Sequence, residues 1–224
     1  MIELIASSLD DALAIEEGGA DRIELVSALS EGGYTPSIGL VMEILDRVSI
    51  PMAVMLRPNR SAFVYTEMEI ETMKRDAIMF DQVGVSHVVM GILDDAGLPD
   101  INTMEYILEG TSLKVSFHRA IDDSADVLNS LERINEYDRI THVLTSGGPG
   151  KAMDNIHRIR QMIEHTDKRI ILGSGVGFSN VPLIREALHG LDYDLHAGGA
   201  VRGGDVKSPV DLDEVESFME LCRF

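Results

Sequence analysis

The sequence predicts a single (β/α)8 TIM-like barrel spanning residues 1–224. Three observations carry that expectation. Eight short β-rich runs recur about every 20–35 residues. Amphipathic runs with helical spacing separate them, and strict β–α alternation implies a parallel sheet. The first strand is followed by "SSLDD", with none of the glycines of a dinucleotide-binding turn, which argues against the doubly wound open sheet.

In chain order, "IELIA" (2–6), "RIELV" (22–26) and "MAVML" (52–56) supply the first three strands. A helix over 66–83 follows, opened by Thr66 and Glu69 at capping-box spacing. "HVVMGI" (87–92) and "KVSFH" (114–118) are the fourth and fifth strands. Residues 124–136 then place Val127, Leu131 and Ile134 on one helical face. "THVLT" (141–145) precedes a helix over 151–165 with Met153, Ile156, Ile159 and Ile163 in register. "RIILG" (169–173) leads through "GSGVGFSN" to a helix with Pro182 in its first turn. "YDLHA" (193–197) is the eighth strand. A last helix near 211–222 aligns Leu212, Val215, Phe218, Met219 and Cys222. Eight units in 224 residues suit the compact end of the barrel range.

The formal net charge of −19 argues against nucleic-acid or anionic-membrane partners, which need a basic face. It leaves room for a small anionic ligand, because backbone N–H groups bind phosphate locally. One cysteine allows no intrachain disulfide and fits a reducing compartment. The N-terminal stretch has no basic region and too short an apolar run for a signal peptide, so a cytoplasmic location is predicted. The exposed helical ring is compatible with a homo-oligomer.

Barrel chemistry gathers at the C-terminal ends of the strands. Those ends are polar here. Alternation turns Glu24, Arg57 and His118 inward at the mouth, with His196 at the end of the eighth strand. Glu3 also faces inward and needs a cationic partner, with Arg22 and Arg57 as candidates. Arg119 has the opposite parity and is expected to tie its loop to Asp122. Glu24, Arg57, His118 and Arg119 form the candidate catalytic set, with Glu24 or His118 as acid/base and the arginines on an anion. "TSGGPG" (145–150) and the glycine-rich ends of strands seven and eight are candidate phosphate or anion loops: Ser146, Gly173, Ser174, Gly175, Gly198 and Gly199, with Arg202 assisting. His118 and His196, converging across the mouth, are the candidate metal ligands. Met55 and Met90 are the methionines placed near the mouth. No lysine stands at a strand end, which disfavours a Schiff-base mechanism.

Taken together, "GGADRIEL" and "LSEGGYTPS" (18–37), "VMLRP" (54–58), "FVYTEMEIETMKRD" (63–76), "FHRAID" (117–122), "LTSGG" (144–148) and "GSGVGFSN" (173–180) resemble the CutC family of copper homeostasis proteins. The resemblance implies a TIM-like barrel, a cytosolic location, and a link to copper handling and Cu(I) binding. Copper as a cofactor rests on that resemblance alone. Many relatives carry cysteines in the first two strands, proposed as copper ligands in some of them; Leu4 and Val26 stand there in this chain. Neither aliphatic side chain can ligate a soft cation. Relatives often have an arginine–glycine–glycine–aspartate run after "RP", where this chain has Asn59, Arg60, Ser61 and Ala62.

Overall fold

The computed structural model describes residues 1–59 and 63–223. The departure read at Arg60, Ser61 and Ala62 therefore lies outside the described residues. Eight parallel strands close on themselves in sequence order: β1 Ile2–Ala6, β2 Arg22–Leu25, β3 Met52–Met55, β4 His87–Met90, β5 Lys114–Phe117, β6 Ile140–Thr145, β7 Arg169–Leu172 and β8 Asp194–Ala197. β1 pairs with both β2 and β8, which seals the barrel.

Eight α-helices follow the strands: α1 Leu9–Glu17, α2 Ile38–Arg47, α3 Glu67–Gln82, α4 Ile101–Leu108, α5 Val127–Asn135, α6 Ile156–His165, α7 Val181–Ala187 and α8 Leu212–Arg223. Their starts have local chemical causes. Thr66 accepts from Glu69 N–H while the Glu69 carboxylate returns to the Thr66 N–H, the reciprocal cap read from the sequence. Ser8, Ser37, Asp100 and Asp126 cap α1, α2, α4 and α5 in the same way from one side. Two predicted helices are shorter than expected. The 124–136 segment shortens to α5, which follows a separate 3-10 turn over Arg119–Asp123, and 151–165 becomes a 3-10 turn over Ala152–Asn155 and then α6. Among the described residues, no helix is long and apolar enough to cross a membrane.

Side-chain alternation splits the core in two. One parity (Leu4, Ile23, Val54, Met90, Phe117, Leu172) is buried between sheet and helices in a large apolar cluster. The other parity points into the barrel. There the apolar cluster is small: Ile5, Val26, Ala53, Met55 and Val89. The rest of the interior is polar. Met90 thus belongs to the helix-facing core, contrary to the placement near the mouth, because it is one residue out of phase with His87 and Val89. A register shift between Val115 and Ser116 places His142 opposite Ser116, so His142 also enters the interior.

Candidate active site

Strand register assembles the polar interior. Glu3 is the direct neighbour of Arg22 on β2 and of His196 on β8. Arg22 Nε donates to Glu3 Oε2 at 2.5 Å, and His196 Nδ1 lies 2.8 Å from Glu3 Oε1. Glu3 therefore has Arg22 as its cationic partner; Arg57 takes no part. Burial alone raises a carboxyl's pKa, but the His196 hydrogen bond and the Arg22 charge outweigh it and hold Glu3 at about 2. The same contact fixes the His196 ring, since a carboxylate at Nδ1 selects the Nδ1–H form.

Glu24 sits one interior step further toward the mouth. Its Oε2 lies 3.7 Å from His196 Nε2, and its Oε1 is buried with no hydrogen-bond partner among the described residues. Burial pushes the Glu24 carboxyl up to about 7, with His196 opposing and Glu3 adding to the rise. His196 moves the other way from what burial alone dictates: the Glu24 charge and the Glu3 hydrogen bond raise it. Glu24 and His196 are a charge-coupled pair, the charge on each favouring the charged form of the other.

His118 faces the same mouth from β5. Its Nδ1 accepts the Ala120 N–H at 3.2 Å, which leaves the ring proton on Nε2. Nε2 is buried and has no partner among the described residues. Burial and the Arg57 charge hold His118 at about 3, so the imidazole is neutral. Space for the ring comes from Gly91, just past the end of the neighbouring β4: a Cβ there would stand 2.7 Å from His118 Nδ1. Phe63 covers the ring at a centroid distance of 4.8 Å and also packs on the Arg57 guanidinium at 4.9 Å. Arg57 Nη1 donates to the Gly32 and Gly33 carbonyls, and its Nε is buried without a partner among the described residues.

Glu24, Arg57, His118, Arg119 and His196 line one cavity of about 910 Å³ at the C-terminal face. Ser174, Gly175, Gly198 and Gly199 line it too, from the loops after β7 and β8. Ser174 adopts φ +73°, a left-handed backbone that is unfavourable for a residue with a Cβ. Met55 lines the cavity floor. Two of the predicted anion-loop residues lie off its surface. Ser146 is fully buried, and its N–H and hydroxyl are committed to the Asp122 carboxylate. Gly173 makes room for Leu144, which a Cβ would meet at 2.7 Å. Arg202 does not assist the loops. It is buried against Asp11, at 2.8 Å, and the Ile5 carbonyl. Arg119 Nε donates to Asp122 at 2.9 Å and its Nη2 to Ser146 Oγ at 3.1 Å, while the side chain stays 43% exposed at the mouth.

Several residues of the interior escape a reading by strand ends. His87 Nε2 and Ser116 Oγ are 2.9 Å apart, Arg22 Nη2 donates to the same hydroxyl at 3.3 Å, and His142 meets His87 edge to face. Arg169 holds Asp194 at 2.8 Å beside them. Arg22, His87, Arg169 and Asp194 open their strands and Ser116 and His142 stand two residues in, so alternation and not a strand's C-terminal end is the available signal. Phe63 and Phe178, which wall the cavity, come from loops and carry no such signal.

Among the described residues, Glu3, Glu24 and His196 are the one set of three or more ligand-type groups whose ligand atoms converge. His118 is not part of it. Two hard oxygens and one imidazole do not suit Cu(I), which selects thiolate and thioether sulfur. Glu3 is already engaged by a guanidinium. Cys222 is half-buried at the end of α8, where burial pushes its thiol up to about 11. Cu(I) does not fit this donor set.

A closed parallel barrel with a charged interior and a cavity at its strand C-termini defines the chain as a (β/α)8-barrel protein with its site in the usual place for that fold. The chain matches the model of the CutC family over residues 1–198 and belongs to that family. A CutC family protein of Xanthomonas campestris pv. campestris (strain 8004) is 37% identical, with 99% of this chain and 98% of the relative covered. One from Xylella fastidiosa (strain 9a5c) is 38% identical, with 99% and 87% covered. Among solved structures, a Streptococcus agalactiae CutC described as a copper homeostasis protein superposes with a TM-score of 0.79 at 26% identity, covering 92% of this chain and 99% of that one. Phosphoribosylanthranilate isomerase from Thermotoga maritima shares the fold alone, with a TM-score of 0.63 at 16% identity and 99% and 97% of the two chains covered.

Proposed function

We propose that this protein is a barrel enzyme that performs acid–base chemistry on a small anionic metabolite held at the mouth. One observation carries the reading: three buried polar atoms, Glu24 Oε1, His118 Nε2 and Arg57 Nε, lack partners among the described residues, and all three belong to side chains lining one cavity. An unsatisfied buried polar atom costs roughly 1–3 kcal/mol, so three around one cavity call for a ligand that satisfies them. Arg57 and Arg119 supply the positive charge for an anionic group. The loops bearing Gly175, Gly198 and Gly199 form the wall against which a phosphate or carboxylate lies. Titration calorimetry with inorganic phosphate and with small carboxylates tests this. Saturable binding weakened at least 10-fold by Arg57→Ala is the expected result; binding unchanged in that variant, or none at all, refutes it.

Copper handling is the role printed for the S. agalactiae relative. Here it would rest on Met55, His118 and His196. Anaerobic Cu(I) titration against a competing chelator separates the two readings. The expected affinity is no better than that of free histidine and methionine side chains. Tight binding lost in His118→Ala and His196→Ala would reverse the preference.

A further inference from the structure

We propose, resting on the acid–base reading above, that the site enolises its ligand: Glu24 takes a proton from a carbon next to a carbonyl whose oxygen is held by the His118 Nε2–H and Arg57. The substrate class is an enolisable carbonyl compound that carries a phosphate or carboxylate group.

The argument begins with the His118 tautomer. The Ala120 N–H occupies Nδ1, so Nε2 is a donor, buried and without a partner among the described residues. The ring is held in this orientation by the Ala120 N–H at Nδ1, with Gly91 close on one side and Phe63 against the ring. A fixed neutral N–H beside a guanidinium is a device for polarising a carbonyl and stabilising the oxyanion that forms from it. Arg57 is equally fixed. Two backbone carbonyls hold its Nη1, and Tyr34 and Phe63 pack on the guanidinium at 5.8 and 4.9 Å.

Such an oxyanion needs a base to generate it. Glu24 provides one with a free, buried oxygen on the same cavity. Its carboxyl, pushed up to about 7 by burial, is matched to proton transfer near neutral pH. Behind it, His196 is locked by Glu3 and faces the second Glu24 oxygen at 3.7 Å, where its charge bears directly on the Glu24 carboxyl. Other routes lack their groups. No lysine or cysteine lines the cavity among the described residues, so neither a Schiff base nor a thiolate is at hand. Ser174 Oγ is engaged with the Gly150 carbonyl.

The step balances without a co-reactant. The C–H electron pair becomes the enolate double bond, the carbonyl pair moves onto oxygen, and the proton goes to Glu24 Oε1. Where the α-carbon carries a hydroxyl, return of the proton to the former carbonyl carbon, with the hydroxyl proton passing to the enolate oxygen as the new carbonyl forms, isomerises the substrate; return to the α-carbon restores it, with deuterium incorporated from D2O.

Proton NMR in D2O tests the proposal, with dihydroxyacetone phosphate and 2-oxobutyrate as the phosphorylated and carboxylated probes and calorimetry as the parallel binding assay. The expected result is enzyme-dependent deuterium uptake at the α-carbon of at least one probe. Glu24→Gln should keep binding and lose exchange by about 10²–10⁴-fold, the range of general acid–base catalysis. His118→Leu should lose about 10²–10³-fold, with His118→Gln, which keeps a donor, retaining more. Thermal melts confirm that each variant is folded. Arg57-dependent binding of a probe or of inorganic phosphate with no exchange above buffer overturns enolisation and leaves the anion site standing. Absence of any binding removes both.

Discussion

His196 Nδ1 stands 2.8 Å from Glu3 Oε1 inside the barrel, and both side chains are buried. The contact follows from register, because Glu3 and His196 are direct neighbours on β1 and β8. It makes Glu3 the keystone of the interior, since the same carboxylate takes the Arg22 guanidinium. Glu3→Gln removes the charge while keeping the shape. Breaking one partner of a buried ionic set costs about 3–5 kcal/mol, because the remaining cation is stranded. The unfolding free energy of the variant, measured by chemical denaturation, should be lower by that amount. His196 should also titrate lower, readable from its imidazole resonances, because two of the causes that raise it act through Glu3. Wild-type stability in Glu3→Gln would remove Glu3 from this role.

The second prediction concerns Gly91. Its role is to leave space, since an added Cβ would meet His118 Nδ1 at 2.7 Å, His118 Cε1 at 2.9 Å and Ala120 Cβ at 3.1 Å. Overpacking of this kind costs roughly 1–3 kcal/mol. Gly91→Ala should lose about that much stability and displace the imidazole. Gly91→Ala combined with His118→Ala should lose less than the sum of the single changes, a coupling of about 0.5–3 kcal/mol by double-mutant cycle. Strict additivity would show that the glycine is conserving space for something other than the ring.

Alternation, together with a place near a strand's C-terminal end, puts Glu24, Arg57, His118 and His196 at the cavity, because an inward side chain there has only the mouth of a closed barrel to enter. The eight strands were legible for a similar reason: each is a short apolar run between polar breaks. The polar floor was harder. His87 and His142 open or interrupt strands whose other residues are aliphatic, and the face of His142 depends on a register shift that period-2 alternation does not encode. Glycine-rich surroundings alone point to Ser146 and Arg202 as mouth residues. Their burial is decided by partners far along the chain, Asp122 and Asp11, that a local pattern does not reveal.

Asp122 carries the third prediction. Its carboxylate accepts from Thr145 Oγ1 at 2.5 Å, from Ser146 N and Oγ, from Gly148 N and from Arg119 Nε. This is one anionic group organising the whole loop after β6 and tethering an arginine at the mouth. Asp122→Asn turns one acceptor oxygen into a donor amide facing donors. Hydrogen bonds to charged groups contribute about 1.5–3 kcal/mol each, so a loss near 3 kcal/mol is expected by chemical denaturation. Anion binding at the mouth should weaken as well, because Arg119 loses its anchor. A variant with intact stability would mean the loop is held by something else.

The last prediction is the direction of acid sensitivity. Burial holds His87 and His118 at about 3 and His142 at about 4, against an ordinary value of 6.5. Each stays neutral in the folded chain while the unfolded chain takes up protons below 6.5. The unfolded state therefore binds more protons at these three sites, and their contribution to stability is lost as pH falls from 6.5 toward 3. Glu24 works against this between 4.5 and about 7, where the folded chain holds a proton that the unfolded chain has released. Raised His196 acts in the same sense as Glu24, above 6.5. Three sites outweigh one between pH 6.5 and 4.5, and below that Glu3, held at about 2, joins the histidines in favouring unfolding. The melting temperature should accordingly fall between pH 6.5 and 4.5. His118→Leu, which removes one of the three, should fall less steeply over the same range, measured by calorimetry at matched ionic strength. A melting temperature that is flat or rises toward pH 5 would contradict the neutral, buried state assigned to these imidazoles, and with it the donor role given to His118.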